Sequence, residues 1–104
     1  MLTRWLAVKW GPSGVRVNGV NPAQVNTPIF SRDAKMLPDE LESMWEGVRA
    51  TYPLRREGHP EDIAQAIVWL ASDNSSWITG VNLKIDGGFL DSAQLAWGNL
   101  RKVE

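Results

Sequence analysis

The sequence predicts an α/β fold in which two parallel strands carry helices on both faces. Two short segments rich in β-branched residues, 15–20 and 81–86, are separated by amphipathic helical segments, with glycine or proline at the junctions. A strand, a helical crossover and a second strand form a right-handed βαβ unit with parallel strands. Because parallel sheets normally contain more than two strands, residues 1–104 are predicted to form a single incomplete domain, one end of a doubly wound sheet.

The first helix is predicted over residues 2–10, where apolar residues recur at helical spacing and a Gly-Pro pair then stops the helix. Its apolar stripe consists of Leu2, Trp5, Leu6 and Trp10. The first strand follows over 15–20, and an Asn-Pro pair ends it. This helix is expected to cover one face of the sheet, with the crossover on the other.

Two further helices are predicted between the strands. One begins near Pro38 and ends before Pro53, with Leu41, Met44, Trp45 and Val48 at helical spacing. The other begins at Pro60, where two acidic residues follow, and its stripe consists of Ile63, Ala66, Ile67 and Leu70. The second strand, 81–86, ends at a Gly-Gly pair, and the tail 89–104 has a mixed pattern from which no element is predicted.

Composition excludes several classes of function. Eleven basic and twelve acidic residues leave a net charge of -1, so no nucleic acid and no anionic membrane is expected as a partner. The chain has no cysteine and a single histidine, His59, so neither a disulfide framework nor a metal site is expected. No apolar run approaches the roughly 20 residues that span a bilayer, and a cytoplasmic location is expected.

Six tryptophans are many for a chain of this length: Trp5, Trp10, Trp45, Trp69, Trp77 and Trp97. Each indole needs a large contact surface and a partner for its N–H group. Core packing explains them most simply, and the alternative is that some of them face a partner segment.

The segment 22–27 is the first candidate site, because it follows the carboxyl end of a strand, where ligands bind in open α/β sheets. Thr27 precedes Pro28 and can cap a helix through its hydroxyl group. The free N–H groups of such a helix start would also favour an anionic or carbonyl oxygen. Both interpretations, a plain cap and a ligand site, are open at this point.

Two runs carry a resemblance to a known family. The run GVRVNGVNPAQVNTPIF resembles the Asn-Pro-Gly-x-Val-x-Thr stretch after the penultimate strand of short-chain dehydrogenases/reductases. The run PLRREGHPEDIAQAIVWLASDNSSWITGVNLKIDGGF resembles the closing helix, Ser-x-x-Ile-Thr-Gly turn and Asp-Gly-Gly strand of the same family. The resemblance implies the C-terminal part of a Rossmann-like, NAD(P)-binding domain.

The resemblance also implies a cofactor site. Pro22 and Val25 would line the nicotinamide end of NAD or NADP, with the backbone of Val25 holding the carboxamide. Thr27 would bond the carboxamide or the adjacent phosphate. Ala23 stands where the family usually has glycine, so its Cβ is expected to cost about 1 kcal/mol, or to shift the cofactor, if that backbone needs positive φ or close approach.

Residues 28–58 correspond, by the same resemblance, to a mobile lid over the substrate. Phe30, Met44 and Trp45 are its candidate substrate contacts. Their helical spacing is equally compatible with packing of the lid helix onto the body of the protein. A lid of this kind would exclude water during hydride transfer. The Asp-Gly-Gly run at 86–88 is interpreted as a turn that ends a strand, in preference to a catalytic role.

No catalytic residue is expected in the chain. The family uses a tyrosine as general acid/base, assisted by a lysine four residues later, and a serine that polarises the substrate carbonyl. The sole tyrosine is Tyr52, which is followed by Pro53 and has Arg56, not lysine, four residues later. The pattern would place the true Tyr and Lys just before Met1. The only glycine pair at loop-like spacing, Gly11 and Gly14, precedes a strand, the wrong context for a dinucleotide loop.

The sequence is therefore interpreted as the C-terminal portion of an oxidoreductase that oxidises an alcohol or reduces a ketone by hydride transfer. The chain alone is predicted to be inactive, and to associate either with itself as a homo-oligomer or with a missing N-terminal half. Two alternatives are a non-enzymatic interaction protein that binds a full-length relative, and one half of a split enzyme.

Overall fold

The structure, a computed structural model, describes residues 1–96, with side chains described through residue 93. The order of elements is α1 (Leu2–Trp10), β1 (Gly19–Pro22), α2 (Pro38–Thr51), α3 (Pro60–Ala71), β2 (Asn82–Ile85) and α4 (Phe89–Ala96). The chain divides into two compact units. The first comprises Met1–Pro22 and Glu61–Ile85, and the second comprises Ala23–Pro60 and the chain from Asp86 onward.

The first unit contains a two-stranded parallel sheet, as the sequence predicts. Gly19 pairs with Asn82, and the register continues to Pro22 opposite Ile85. The first strand nevertheless begins four residues later than predicted. There the Val17 N–H group donates to the Thr79 hydroxyl oxygen at 3.0 Å instead of to a backbone carbonyl, although the Val17 carbonyl still accepts from the Gly80 N–H at 2.7 Å.

Helices cover both faces of this small sheet, which confirms the predicted architecture. A Cβ built on Gly19 would approach Thr3 of α1, so α1 covers the face to which residue 19 points. Because successive strand residues point to opposite faces, Val20 points to the other side. There it lines a hollow together with Ile67 and Leu70 of α3. The α1 and α2 bounds agree with the predicted helices, and α3 begins at Pro60 as predicted.

Arg16 holds the C-terminal end of α3 in place. Its guanidinium group donates to the carbonyl oxygens of Leu70 at 2.7 Å and Ser72 at 3.0 Å, and to the Ser75 hydroxyl at 3.0 Å. Carbonyl groups at the end of a helix have no intrahelical donor, and a cation there also complements the helix dipole. Ser75, which is 1% exposed, donates in turn to the Leu70 carbonyl at 2.8 Å.

The second unit is built around α2. Trp45, Val48 and Tyr52 form its buried cluster, and Ala23, Phe30 and Met44 pack against that cluster. Glu40 accepts a hydrogen bond at 2.9 Å from the Leu37 N–H group just before the helix, which stabilises the helix start. The helix ends at Thr51.

Two segments of this unit differ from the sequence prediction. The turn of helix after the first strand covers Ile29–Asp33, its N-cap is Pro28, and no side chain caps it, so of the two interpretations of Thr27 the plain cap is wrong. The tail forms α4, which the mixed pattern did not predict. The Asp86 carboxylate accepts from the N–H groups of Gly88 at 3.0 Å and Leu90 at 3.1 Å, and thereby caps α4. The part of the tail over 97–104 lies outside the described residues.

Candidate cofactor-binding segment

The predicted cofactor residues follow β1 in sequence. Pro22 is the last residue of β1 and pairs with Ile85. The following residues belong to the second unit, where Val25 pairs with Gly58 in an isolated parallel bridge. The structure therefore places Pro22 at a strand end, as the sequence predicts, and Val25 in a β-bridge three residues later.

The bridge determines which way the backbone of Val25 points. Asn26 donates its N–H to the Gly58 carbonyl at 2.7 Å, and the Gly58 N–H donates to the Gln24 carbonyl at 3.2 Å. In a parallel pairing, the residue between two such bonded neighbours directs its own N–H and C=O groups to the opposite edge. The N–H and C=O groups of Val25 are thus presented away from Gly58, as a donor and an acceptor side by side.

Tyr52 anchors the same segment. Its side chain is 4% exposed and its ring stacks on Phe89 with a centroid distance of 4.9 Å. The Gln24 N–H donates to the Tyr52 hydroxyl at 3.4 Å, and that hydroxyl donates to Gln24 Oε1 at 3.3 Å. The structure thus gives the phenol a positioning role in the segment that carries Val25.

Ala23 does not have the positive φ that was one of the two conditions under which its Cβ was expected to be costly. The non-glycine residues with positive φ in the described part of the chain are Lys35 and Arg55, so Ala23 is not in the left-handed region. Its side chain packs against the buried cluster around Trp45. The methyl group is therefore accommodated by the core of this unit.

Gly58 and Gln24 are site residues that the sequence analysis missed. A Cβ on Gly58 would lie 3.3 Å from the Gln24 carbonyl oxygen and 3.5 Å from Val25 Cγ2, so glycine allows the two backbones to approach closely. The signal in the sequence was a glycine just before the Pro60 helix start. Gly58 was not identified as a site residue, because nothing in the neighbouring sequence indicates that it pairs with Val25.

The candidate substrate contacts on the lid have different environments. Trp45 is 5% exposed, and the Phe30 ring meets it edge to face at a centroid distance of 5.5 Å. These two rings therefore pack against one another within the lid segment 28–58. Met44 is partly buried and lines a hollow with Gln24 and Phe89.

An ion pair fixes the end of α2 to the segment that precedes Gly58. Arg49 Nε and Nη2 each lie 3.0 Å from a carboxylate oxygen of Glu57, and Nη1 lies 2.7 Å from Glu42 Oε1. Glu57 is 8% exposed. The hydrogen bonds from Arg49, followed by one from the backbone, hold the pKa of Glu57 below its ordinary value, and the two carboxylates raise the pKa of Arg49.

Among residues 1–96, no group of three or more His, Asp or Glu side chains is placed to hold a metal ion. No helix in that part combines the length and the apolar character that crossing a bilayer requires.

Comparison with known proteins identifies similar sequences and structures. A family profile described as "Enoyl-(Acyl carrier protein) reductase" matches residues 1–90. The 3beta-hydroxysteroid dehydrogenase 1 of Eggerthella lenta is 41% identical over 88 residues, which make up 85% of this chain and 32% of that protein.

Two solved structures are similar in fold to this chain. The ligand-free aldohexose dehydrogenase of Thermoplasma acidophilum has a TM-score of 0.78 and 33% identity, over 86% of this chain and 36% of that one. A 4-hydroxyisoleucine dehydrogenase complexed with NADH has a TM-score of 0.68 and 30% identity, over 86% of this chain and 34% of that one. The chain thus spans about a third of the length of the proteins it matches.

Proposed function

Because this chain belongs to the short-chain dehydrogenase/reductase family, we propose that it is the C-terminal part of an NAD(P)(H)-dependent oxidoreductase that interconverts an alcohol and a ketone. Two kinds of evidence support the proposal. The similar proteins named above are dehydrogenases of hydroxyl-bearing molecules or sugars, and one of them was solved with NADH. The second is the geometry of residues 23–27.

The orientation of Val25 is the observation that carries the proposal. A nicotinamide carboxamide has one carbonyl acceptor and one NH₂ donor, and Val25 presents one N–H and one C=O on the edge away from Gly58. The two sets of groups are complementary. In the proposal, Val25 holds the carboxamide, Pro22 lies beside the nicotinamide, and Thr27 donates to the carboxamide or the adjacent phosphate.

The 104-residue chain by itself is proposed to be inactive. Hydride transfer to a carbonyl needs a group that donates a proton, and Tyr52 is buried and bonded to Gln24. Arg56 does not exchange its proton near neutral pH. In the proposal, residues 22–27 hold the nicotinamide and residues 28–58 cover the substrate. A group elsewhere in the enzyme donates the proton.

A chimera tests the proposal. Residues 1–90 replace the matching segment of the aldohexose dehydrogenase, and cofactor-dependent turnover is measured. We expect the chimera to be active, and Val25→Pro to raise the KM for the cofactor about tenfold, because it removes the one N–H group that faces the carboxamide. Asp39→Pro is the matched control, since the amide it removes lies in the first turn of α2, where helices leave it unbonded. An unchanged cofactor KM in Val25→Pro contradicts the proposal.

A further inference from the structure

The backbone on both sides of Val25 is held from one edge, opposite the edge at which Val25 presents its own N–H and C=O groups. The Gln24 N–H donates to the Tyr52 hydroxyl at 3.4 Å, and the Gln24 carbonyl accepts from the Gly58 N–H at 3.2 Å. On the other side of Val25, the Asn26 N–H donates to the Gly58 carbonyl at 2.7 Å. Three backbone groups that flank Val25 therefore depend on two residues, Tyr52 and Gly58.

The Tyr52 side chain is a firm support for this backbone. Its hydroxyl accepts from the Gln24 N–H and donates to Oε1 of the same residue at 3.3 Å. The side chain is 4% exposed, and its ring stacks on Phe89 with an interplanar angle of 27°. Because the ring is packed in this way, the hydroxyl has one position from which it can bond Gln24.

The chain turns back between Tyr52 and Gly58, so that both residues reach the same segment. The Arg55 N–H closes the turn by donating to the Tyr52 carbonyl at 2.9 Å, and the Leu54 N–H donates to the Gly87 carbonyl at 3.1 Å. Arg55 has φ +57°, in the left-handed region that a residue with a Cβ seldom adopts. A backbone conformation of this kind persists only where the surrounding contacts fix it.

The two ends of this turn, residues 52–58, are both attached to α2. Tyr52 follows the last residue of the helix directly. Glu57, next to Gly58, is 8% exposed and accepts two hydrogen bonds at 3.0 Å from Arg49 of α2. These attachments limit how far Gly58 can move relative to Tyr52, and so limit how residues 24–26 can rotate.

We propose that the 52–58 turn is a positioning element of the cofactor site, in which Tyr52 and Arg55 set the orientation of Val25 without touching the cofactor. This assignment rests on the function proposed above, in which Val25 holds the nicotinamide carboxamide. Cofactor affinity then depends on the Tyr52 hydroxyl and on the left-handed backbone of Arg55. A rotation of residues 24–26 would turn the N–H and C=O groups of Val25 away from the carboxamide.

Tyr52→Phe tests the hydroxyl, since it removes the bonds to Gln24 and keeps a ring that can stack on Phe89. In the chimera described above, we expect the KM for the cofactor to rise about fivefold, the effect of losing about one hydrogen bond, with kcat at saturating cofactor unchanged. Thr51→Val is the matched control, because it removes a neighbouring hydroxyl that donates instead to the Gly47 carbonyl at 2.8 Å. Its cofactor KM should equal that of the unaltered chimera.

Two substitutions of Arg55 test the turn. Arg55→Gly and Arg55→Val both remove the guanidinium group, which donates to the Ala50 carbonyl. They differ in backbone preference, because glycine adopts positive φ readily and a β-branched residue such as valine does not. Arg55→Gly should leave the cofactor KM unchanged, whereas Arg55→Val should raise it. Equal cofactor KM values for the two variants would contradict the role given to the turn.

Hydrogen exchange in the 104-residue chain measures the positioning without cofactor or turnover. The Asn26 N–H is bonded to Gly58, so it reports whether the segment around Val25 is held. In Tyr52→Phe it should exchange about fivefold faster than in the wild type, and in Thr51→Val at the wild-type rate. An unchanged Asn26 rate in Tyr52→Phe overturns the proposal.

The two proposals fail in different ways. If Val25→Pro raises the cofactor KM and Tyr52→Phe does not, the positioning role alone is wrong. If Asn26 exchanges faster in Tyr52→Phe but neither substitution changes the cofactor KM, the assignment of Val25 to the cofactor is itself wrong.

Discussion

Glu57 shows how a single side chain connects the lid helix to the candidate site. It is nearly buried, yet both carboxylate oxygens are hydrogen-bonded by Arg49, at 3.0 Å each. The next residue is Gly58, whose backbone pairs with the segment that carries Val25. Exchange of Arg49 would leave the nearly buried carboxylate of Glu57 without this partner, which is the costly case for buried ion pairs, whereas Arg49 is 38% exposed and keeps its bond to Glu42 when Glu57 is exchanged.

Stability should depend on pH through this carboxylate. Because Arg49 lowers the pKa of Glu57 in the folded chain, folding is favoured above the unfolded value of 4.5, and this contribution is lost as pH falls through the folded pKa. Urea midpoints of the wild type and Glu57→Gln should differ most above about pH 5 and converge in more acidic buffer.

Glu42→Gln is the control for that titration. Glu42 is bonded to the same arginine, but its side chain is 59% exposed, so its ion pair is screened by water. Its urea midpoint should stay close to that of the wild type at every pH. A Glu57→Gln difference that persists unchanged into acid would show that the ion pair does not set the pH dependence.

Among the elements, the turn between β2 and α4 illustrates a conformation that only glycine tolerates easily. Gly88 has φ +85°, and a Cβ there would lie 3.0 Å from Pro53 Cγ. Gly87, with φ +58°, accepts a hydrogen bond from the Leu54 N–H at 3.1 Å. The Asp-Gly-Gly run is thus a turn against residues 53–54 that begins α4, in line with the interpretation as a turn.

Two glycine substitutions should therefore have opposite effects on stability. Gly88→Ala should lower the free energy of unfolding by more than about 1 kcal/mol, because positive φ and the contact with Pro53 both disfavour a side chain. Gly47→Ala should raise it by up to about 1 kcal/mol, since the added methyl group meets open space within a helix. Chemical denaturation of both variants measures the difference, and equal effects would contradict this account.

At the scale of the whole molecule, the outer edge of β1 carries backbone N–H and C=O groups that pair with no strand among the described residues. Among the described residues, β1 has one strand neighbour, β2. Gly19 directs its N–H to the Val81 carbonyl at 2.8 Å, so the backbone groups of Val20 face the outer edge. Large apolar side chains are also exposed in this unit, among them Val68 at 68% and Trp77 at 97%. Unprotected edges and exposed apolar groups favour association.

We expect the 104-residue chain to sediment as dimers or larger species. Val20→Pro should reduce association, because it removes a donor from the outer edge, whereas Asn21→Pro removes a donor that faces β2 and should weaken the sheet itself. Sedimentation velocity over a range of micromolar concentrations measures this. A single sharp monomer boundary for the wild type would refute the expectation.

The sequence alone determined the order and type of most elements. The helices over 2–10, 38–51 and from Pro60 followed from apolar spacing and proline positions, since a helix repeats every 3.6 residues and records its buried face locally. The parallel pairing followed from the helical crossover between the strands. The motifs in residues 14–30 and 53–89 also indicated the family from the sequence alone.

Tertiary structure decided the details that depend on residues far apart in the chain. Before Gly19, the Val17 N–H donates to the Thr79 hydroxyl and the Asn18 side-chain amide donates to the Ile78 carbonyl, so the regular strand pairing begins only at Gly19. Val25 is oriented by Gly58, 33 positions later in the sequence. The role of Arg16 as a cap for α3 likewise depends on residues 70–78. Periodicity describes which face a residue occupies, but hydrogen bonds between distant segments are set only when packing brings their backbones together.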